Sequence, residues 1–513
     1  MNSLHLGWAA ALVLSPCVSL AAGQEAGEAA TVAVGGFEIA VDETLSADSL
    51  SGDLIVAFSR QKDPLASLHS WFNGPPVLRF SVEDLAPDRS VSLTAADADA
   101  RFPVAWEEFA DFGDGTWNVM AILRQNPTGR EVGLSPGDYL SNPVEIAYAP
   151  GGEGTVRLEL VAETVPTPFE ETERIKHFQF VSPALSEFHG FEYTMNAGVL
   201  LPADHDPEKR YPVLYSVTGF GGTHRSIFGW EGRAEGSILD QCIVVVPDAS
   251  NLYGHSVFCN SPSIGPWGDA LVKELIPALE KQYGGAGPAH RHVTGGSSGG
   301  WSSFWLQVAY PEAFAACWSH VPDPIDFHDF QQINLYEPLE DGSPRNMFVD
   351  EAGELRPLAR NGERILLTYK DFVQREHVLN PGGQIRSFEG TFSPLAEDGT
   401  PRRVFDVETG VIDHEAAQAW RRFDISHILL NQWEELEPRL DGKIHVWAGT
   451  QDNFFLEGAV ERFLTLAEPA GLLDHMTVEV IEGLPHSTHQ PGYEWMLRAI
   501  EEGWSAATAE DGN

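Results

Sequence analysis

The chain has 513 residues, of which 43% are hydrophobic and 21% are charged, and this length predicts two to four domains with substantial cores. Its 32 Lys and Arg residues against 75 Asp and Glu residues give a formal net charge of −43. Such a surface argues against binding to nucleic acid or to an anionic membrane, because both need a basic footprint. We interpret the acidic charge as a solubilising feature.

The first residues have the pattern of an export signal. An apolar stretch from Trp8 to Leu14 is followed by Pro16 and by Ser19-Leu20-Ala21, which fits the small-x-small pattern of a cleavage site. The stretch is too short to span a membrane, so no integral membrane span is expected here. Residues 1–21 are therefore predicted to be a signal peptide, and the mature protein is expected in the periplasm or outside the cell. Acylation of Cys17 is the alternative, which the preceding proline disfavours.

Residues 31–165 read as short strands separated by turn residues. Examples of these strands are Phe37–Val41, Asp53–Phe58 and Trp117–Leu123. Few segments have helical periodicity, and Asp-Gly and Gly-Gly breaks recur. This pattern is typical of an all-β sandwich. The segment Pro166-Thr167-Pro168 marks its end.

From residue 178 to residue 505 the pattern changes to strands that alternate with helices. The clearest segments are the strands Val213–Val217 and Ile243–Pro247, the helical stretch Ala270–Tyr283, and the later strands Lys443–Trp447 and Thr477–Ile481. This alternation predicts an α/β fold with a mostly parallel sheet. Residues 323–440 are polar and rich in turns, and we interpret them as an insertion over the sheet.

Cys242, Cys259 and Cys317 remain after removal of the predicted signal peptide. Three cysteines form no disulfide framework, but Cys259 and Cys317 are the candidate pair for an oxidising compartment. Cys242 opens an apolar run and is expected to pack as a small hydrophobic residue. No cysteine–histidine spacing resembles a zinc site, so no metal is expected.

The segment Thr294–Trp301 carries the strongest functional signal. Gly-x-Ser-x-Gly between a strand and a helix is typical of the nucleophile elbow, in which a sharp turn presents the serine at the carboxyl edge of the sheet. The first helical amides lie close by and can bind an oxyanion. The motif fits twice, with either Ser297 or Ser298 as the nucleophile. The strand His292–Thr294 runs directly into the earlier serine, which favours Ser297 and leaves the backbone N–H of Ser298 as an oxyanion donor.

A serine hydroxyl needs a base to take its proton, and in this fold class the acid and the histidine follow the serine in the chain. Asp452 comes after a strand and a glycine turn, and is the candidate acid; Asp323 and Asp326, which follow the preceding strand, are the alternatives. His486 comes after the last predicted strand and is the candidate base, with His489 as the alternative.

The second oxyanion donor is expected in the glycine-rich loop after the strand Val213–Val217. Its sequence is Thr218-Gly219-Phe220-Gly221-Gly222. Glycines let backbone N–H groups approach the substrate oxygen closely. We predict the N–H of Phe220 as this donor.

These motifs resemble the putative-esterase (esterase D-like) family of the α/β-hydrolase superfamily. That family has Gly-His-Ser-x-Gly-Gly at the elbow, and here Gly296 stands in place of the His. Tyr310-Pro311 and Phe314 stand at the offset expected after it. Thr218 replaces the His of the family's His-Gly-x-x-Gly loop. The resemblance covers roughly residues 190–505.

The resemblance independently selects Ser297 as the nucleophile and places Asp452 and His486 at the family's acid and base positions. Together with the predicted signal peptide, it implies an exported serine hydrolase, a carboxylic ester hydrolase with a Ser-Asp-His triad and an acyl-enzyme intermediate, and no cofactor. The substrate would be a small-molecule or polymer-borne ester. Two alternatives stay open: a serine peptidase with the same triad, and a catalytically inactive glycan-binding protein on this fold. Oligomeric state is not predicted.

Overall fold

The computed structural model describes residues 33–46, 48–72, 74–126, 128–379 and 381–511. Two β-sheets organise these residues, each with its own hydrophobic core. We call them the N-terminal sheet and the second sheet. The predicted signal peptide, residues 1–21, lies outside the described residues.

The N-terminal sheet contains nine strands in the described part of the chain. They are Val34–Val41, Leu50–Ser59, Val77–Leu85, Val91–Thr94, Ala100–Phe102, Thr116–Leu123, Tyr139–Ser141, Val144–Ala147 and Gly154–Glu163. Neighbouring strands are antiparallel, except that the first and the last run parallel to each other. The long strands are rich in Val, Ile, Leu and Phe, which fit a pleated and buried surface.

Alternate residues of the central strand Leu50–Ser59 face two different cores, as the two-residue period of a strand requires. We call the described residues up to Glu163, which carry the N-terminal sheet, the N-terminal unit. Val56 and Phe58 point into a cluster that is formed by residues of this unit. Ile55 and Ala57 point to the other side, where Val378 of the insertion joins the same cluster. The N-terminal unit is therefore packed directly against the insertion.

The second sheet contains eight strands in the part of the chain that the structure describes. They are Ile175–Val181, Thr194–Leu200, Val213–Val217, Ile243–Pro247, Arg291–Ser297, Ala316–Pro322, Ile444–Gln451 and Thr477–Pro485. In the sheet the order is first, second, fourth, third, fifth, sixth, seventh and eighth. The first two strands are antiparallel to their neighbours and the others are parallel. The predicted fold class, an α/β-hydrolase sheet preceded by an all-β region, is confirmed.

Helices flank the second sheet and form much of the insertion. The α-helices are Pro64–Leu68, Pro183–His189, Glu231–Ala234, Trp267–Asp269, Ile276–Tyr283, Ser298–Ala309, Tyr369–Leu379, Gln384–Phe392, His414–Gln418, Ile425–Leu440, Glu457–Ala467 and Gln490–Asp511. Short ladders pair Ser250–Asn251 with Gly254–His255, Asn260–Ser261 with Gly265–Pro266, and Pro357–Asn361 with Arg364–Thr368. Within the described residues, no helix combines the length and the apolar character that crossing a membrane requires.

The insertion, residues 323–440, shares its core with the second sheet. Phe327, Phe392 and Trp420 are buried in the same cluster as side chains of the central parallel strands. Phe392 also packs on Trp301 of the helix that follows the elbow, with ring centroids 5.1 Å apart. The insertion is thereby held over the carboxyl edge of the sheet.

Cys242, Cys259 and Cys317 are all free thiols, and all are buried. The predicted disulfide between Cys259 and Cys317 is therefore wrong. Each thiol is enclosed by apolar side chains of a core cluster. Burial raises the pKa of Cys242 and Cys317 to about 12, so these side chains stay neutral and pack as small hydrophobic residues.

Candidate active site

Ser297 ends a central strand of the second sheet in a backbone conformation that is rare for residues other than glycine. Its φ is 59° and its ψ is −128°. A residue held in such a region costs about 1–3 kcal/mol and persists only where the surrounding structure imposes it. The helix Ser298–Ala309 begins at the next residue. The strained position at the turn is thus occupied by Ser297, while Ser298 is the first helical residue.

Glycines on either side of Ser297 allow this turn to close. A methyl group at Gly299 would lie 2.1 Å from the carbonyl oxygen of Val217, and one at Gly295 would lie 2.3 Å from the backbone of Gly299. Both distances are far below a van der Waals contact. The spacing Gly-x-Ser-x-Gly around Ser297 therefore has a direct steric cause here.

Asp452 and His486 meet at the same edge of the second sheet. Asp452 is fully buried, and its Oδ2 lies 2.7 Å from His486 Nδ1. Its Oδ1 accepts a hydrogen bond from the backbone N–H of Phe454 at 2.8 Å. The backbone N–H of His486 donates to Asn453 Oδ1 at 3.0 Å. Because the carboxylate accepts a hydrogen bond from Nδ1–H, the neutral imidazole presents an unprotonated Nε2.

The electrostatics of this pair favour an imidazole that takes up a proton. Burial acts to lower the pKa of His486, but the charge of Asp452 and the hydrogen bond to it outweigh burial. The charge of Asp323 adds to the same effect. The pKa of His486 is therefore raised above its ordinary value, which suits a general base.

Asp323 lies beside both serines of the elbow. Ser298 Oγ donates to Asp323 Oδ2 at 2.6 Å, and Ser297 Oγ donates to Asp323 Oδ1 at 3.3 Å. Among the described residues, no hydrogen bond joins Ser297 Oγ to His486. Burial raises the pKa of Asp323 to about 6, against the opposing hydrogen bond from Ser298 and the charge of His486. This carboxyl group therefore changes its charge close to neutral pH.

The remaining sequence alternatives lie in other surroundings. Asp326 is hydrogen-bonded to His328 at 2.8 Å and pairs with Arg462 at 3.2 Å. The ring of His489 packs against Trp447, with centroids 5.7 Å apart. Its Nδ1 has no hydrogen-bond partner in the described structure. Neither residue joins the Asp452–His486 pair.

The glycine-rich loop after the strand Val213–Val217 runs beside the elbow. A methyl group at Gly219 would lie 3.4 Å from Ser297 Cβ and 3.9 Å from Ser297 Oγ. The N–H of Gly222 donates to the carbonyl oxygen of Gly219 at 3.1 Å, which closes a turn around Phe220. Of the predicted oxyanion residues, Ser298 directly follows Ser297, and Phe220 directly follows the glycine that approaches Ser297.

A narrow cavity opens beside Ser297 and offers about 30 Å³ to solvent, room for about two water molecules. Three parts of the chain line it. The N-terminal unit contributes Trp71, the insertion contributes Phe372, Gln384 and Phe388 among others, and the loop after Asp452 contributes Phe454 and Leu456. The cavity walls are mostly apolar, with a few polar groups near the serine.

No sequence motif includes Trp71, Phe372, Gln384 or Phe388. These four residues lie between 75 and 226 positions from Ser297 in the chain, so no local pattern connects them to the elbow. The adjacent aromatic pair Trp71-Phe72, in a loop rather than in a strand, was the available signal. Such a pair away from the strands of a β domain is typical of a contact surface.

Asp326, His328 and Asp424 bring possible metal-ligand atoms within 4.8 Å of one another. Their hydrogen-bonding capacity is already used by the protein. Asp326 pairs with Arg462, and Asp424 Oδ2 accepts from the hydroxyl of Tyr336 at 2.9 Å. The cluster is therefore satisfied as a structural network that ties the insertion to the sheet.

Comparison with known proteins gives one family match. A family model described as "Putative esterase" matches residues 189–495, more than half of the chain. This range includes Ser297, Asp452 and His486, and it excludes the strands of the N-terminal sheet.

Solved structures similar to this chain include three hydrolases. A ferulic acid esterase is 15% identical and covers 64% of this chain and 95% of its own, with a TM-score of 0.37. An S-formylglutathione hydrolase from Agrobacterium tumefaciens is 15% identical and covers 64% and 94%, with a TM-score of 0.36. The fluorophosphonate-binding serine hydrolase FphF of Staphylococcus aureus is 12% identical and covers 64% and 97%, with a TM-score of 0.37. All three TM-scores are below 0.5, so the assignment to a family depends on the family model and not on these structures.

Proposed function

We propose that this chain uses Ser297 as its nucleophile, His486 as its general base and Asp452 as the acid that orients the base. The chain belongs to the "Putative esterase" family and is a carboxylic ester hydrolase. The observation that carries the proposal is the 2.7 Å pairing of Asp452 with His486. That pair lies at the sheet edge where Ser297 occupies the strained turn.

In the acylation step, His486 Nε2 takes the proton of Ser297 Oγ while Oγ attacks the ester carbonyl carbon. The N–H groups of Ser298 and Phe220 stabilise the oxyanion. The intermediate collapses, the alcohol leaves with the proton from His486, and the acyl group stays on Ser297. A water molecule then repeats the sequence, so that a carboxylic acid is released and the serine hydroxyl is restored.

Catalysis requires the Ser297 hydroxyl to turn from Asp323 to His486. The hydrogen bond to Asp323 is long, at 3.3 Å, so a rotation about the Cα–Cβ bond that redirects the hydroxyl gives up only a weak interaction. Asp452 stabilises the imidazolium that forms at His486. No step of this sequence calls on a metal or an organic cofactor.

The substrate we propose is a small-molecule or polymer-borne ester. We also propose that the protein is exported, because residues 1–21 have the composition of a signal peptide. An acidic enzyme outside the cytoplasm would be repelled by anionic polymers and would favour neutral ones.

The test is fluorophosphonate labelling of the folded protein, with the modified peptide identified by mass spectrometry. We expect the label on Ser297, and we expect Ser297→Ala to lose the label and at least about 10⁴-fold in kcat. Ser298→Ala is the matched control, because it changes the neighbouring hydroxyl and keeps the backbone N–H.

Two outcomes would contradict the proposal. A label on Ser298 would move the nucleophile by one residue. A folded protein that takes up no label would show that the serine is not activated. Thermal unfolding of both variants confirms that the fold is kept.

A further inference from the structure

We propose that Trp71, which the N-terminal unit contributes, is a specificity-determining residue of the ester-hydrolysing site and contacts an uncharged, apolar part of the substrate. The proposal rests on the proposed function of Ser297. It gives the N-terminal unit a direct part in substrate selection.

The indole of Trp71 contacts aromatic rings that adjoin each element of the site. Its centroid lies 5.9 Å from that of Phe220, the proposed oxyanion residue, and 5.7 Å from that of Phe454. Phe454 in turn packs edge-on against His486 at 4.9 Å. On the insertion side, Trp71 lies 5.2 Å from Phe372. Trp71 is therefore the contact that joins the loop, the histidine and the insertion around one cavity.

The segment that carries Trp71 is held firmly by the rest of the molecule. The guanidinium of Arg375, on the insertion helix Tyr369–Leu379, donates to the carbonyl oxygens of Leu68 and Ser70. Arg130 of the N-terminal unit donates to the carbonyl oxygen of Gly221 at 3.0 Å. The Arg375 bonds join the N-terminal unit to the insertion just before Trp71, and the Arg130 bond joins it to the glycine-rich loop beside the elbow. The backbone that leads to the indole is thus anchored to the insertion.

The surroundings of Trp71 determine what it can bind. Trp71 is half-buried and lines the cavity at Ser297 together with Phe372, Phe388 and Leu456. Among the described residues, neither Lys nor Arg lines this cavity, and its acidic group is Asp323. A carboxylate or phosphate on the substrate would be repelled by Asp323 and would meet neither Lys nor Arg in the described lining of this cavity. An apolar group gains from burial against the aromatic faces.

Trp71 also contributes little to the stability of the N-terminal unit, because it lies outside the core cluster of that unit. The aromatic rings that Trp71 contacts, Phe220, Phe372 and Phe454, belong to other parts of the chain. The core cluster of the N-terminal unit is formed by other rings, such as Phe58 and Trp117. Removal of the indole therefore changes the cavity more than it changes the fold. The cavity has room for about two water molecules, so the loss of a nine-atom ring system would enlarge it several-fold.

The experiment measures kcat/KM of the full chain on two ester series. One series varies the acyl chain of p-nitrophenyl esters from acetate to octanoate, and the other varies the apolar alcohol of acetate esters. We expect Trp71→Ala to raise the ratio of long-substrate to short-substrate kcat/KM at least fivefold in one series, mainly through KM. Trp71→Phe should stay within about twofold of wild type. Phe72→Ala, at the exposed neighbouring ring, is the matched control and should leave both profiles unchanged.

Parallel profiles for wild type and Trp71→Ala in both series would overturn the proposal, because a merely structural role would lower every kcat/KM by the same factor. Trp71→Leu gives the same comparison if Trp71→Ala does not fold, since it keeps apolar volume without an aromatic face. Fluorophosphonate labelling of the same wild-type preparation separates the two hypotheses. An unlabelled wild type defeats the assignment of Ser297, whereas labelled protein with parallel profiles defeats only the role of Trp71.

Discussion

Asp138 in the N-terminal unit and Asp452 in the second sheet are both fully buried, yet they use their oxygens differently. Asp138 Oδ1 accepts from two backbone N–H groups at 2.9 and 3.1 Å, and its Oδ2 accepts from a third at 2.8 Å. Asp452 gives one oxygen to the backbone and the other to His486. Burial is the same, and only the partners differ.

Under the proposed function, this difference separates a carboxylate that holds a loop from one that orients a catalytic base. Asp138 satisfies backbone donors that would otherwise be buried without partners. Asp452 instead holds a second titratable side chain, the imidazole of His486. Ser297, with its rare φ of 59°, lies at the same edge of the second sheet as this pair. A functional carboxylate is therefore better identified by a titratable partner than by its depth.

The largest effect is expected from Asp452→Asn. An amide in place of the carboxylate can donate to Nδ1, which favours the wrong imidazole tautomer and removes the charge that stabilises the imidazolium. We expect kcat for ester hydrolysis to fall by about 10³–10⁴-fold, with the thermal midpoint changed little. Asp138→Asn is the control, and it should keep its kcat. If Asp452→Asn retained a tenth of wild-type activity, the comparison between the two aspartates would fail.

The next largest effect is on folding stability, and we compare a glycine of the elbow with a glycine of the N-terminal sheet. A methyl group at Gly299 would lie 2.1 Å from the Val217 carbonyl oxygen, whereas one at Gly36 would meet its nearest atom at 3.5 Å. We expect Gly299→Ala to lose more than about 4 kcal/mol of stability or to be insoluble. Gly36→Ala should stay within about 1 kcal/mol of wild type. Urea unfolding measures both, and equal tolerance of the two changes would show that the elbow is not tightly closed.

Asp138→Asn itself should cost stability. The amide offers one acceptor oxygen, so its NH₂ group would face a backbone donor, either that of Gly133 or those of Gln125 and Asn126. An unpaired buried donor and the loss of charge-assisted hydrogen bonds predict a loss of about 2–4 kcal/mol. Denaturant unfolding checks the value. A loss of kcat without a loss of stability would reverse the roles assigned to the two regions.

Sequence patterns predicted those parts of the site that a few neighbouring residues specify. The elbow is specified within five residues, because the steric demand of its turn acts on the immediate neighbours of Ser297. Asp452 and His486 each follow a strand, and parallel strands bring their carboxyl ends to one edge. The fold class followed from strand and helix periodicity in the same way.

The remaining features depend on contacts that no local pattern records. The role of Trp71 depends on the docking of the N-terminal unit against the insertion, through Arg375 and Val378. Asp323 was considered only as an alternative acid, because the sequence cannot show that two serine hydroxyls would point at it. The disulfide prediction failed for the same reason, since Cys259 and Cys317 carry no information about distance.

The smallest effect is expected from Asp323→Asn, and it depends on pH. Burial raises the pKa of Asp323 to about 6 in the folded protein, above the ordinary value of 3.8. The folded state therefore holds this proton more tightly than the unfolded state does. The resulting stabilisation is complete below about pH 4 and is lost as the pH rises through 6. The Asn variant has no such loss, so its stability relative to wild type should increase by about 1–3 kcal/mol between pH 4 and pH 8.

The same variant should also move the pH profile of activity, because Asp323 helps to raise the pKa of His486. The base must be neutral to accept the Ser297 proton, so kcat/KM rises as the imidazolium loses its proton. Without the charge of Asp323 the pKa of His486 falls, and the acid limb of the profile moves to lower pH. Asp114→Asn, at an exposed position of the N-terminal unit, controls for the loss of one negative charge from an acidic protein. If the acid limb of the kcat/KM profile stayed at the same pH, the charge of Asp323 would not influence His486. Asp323 would then be a structural carboxylate, as Asp138 is.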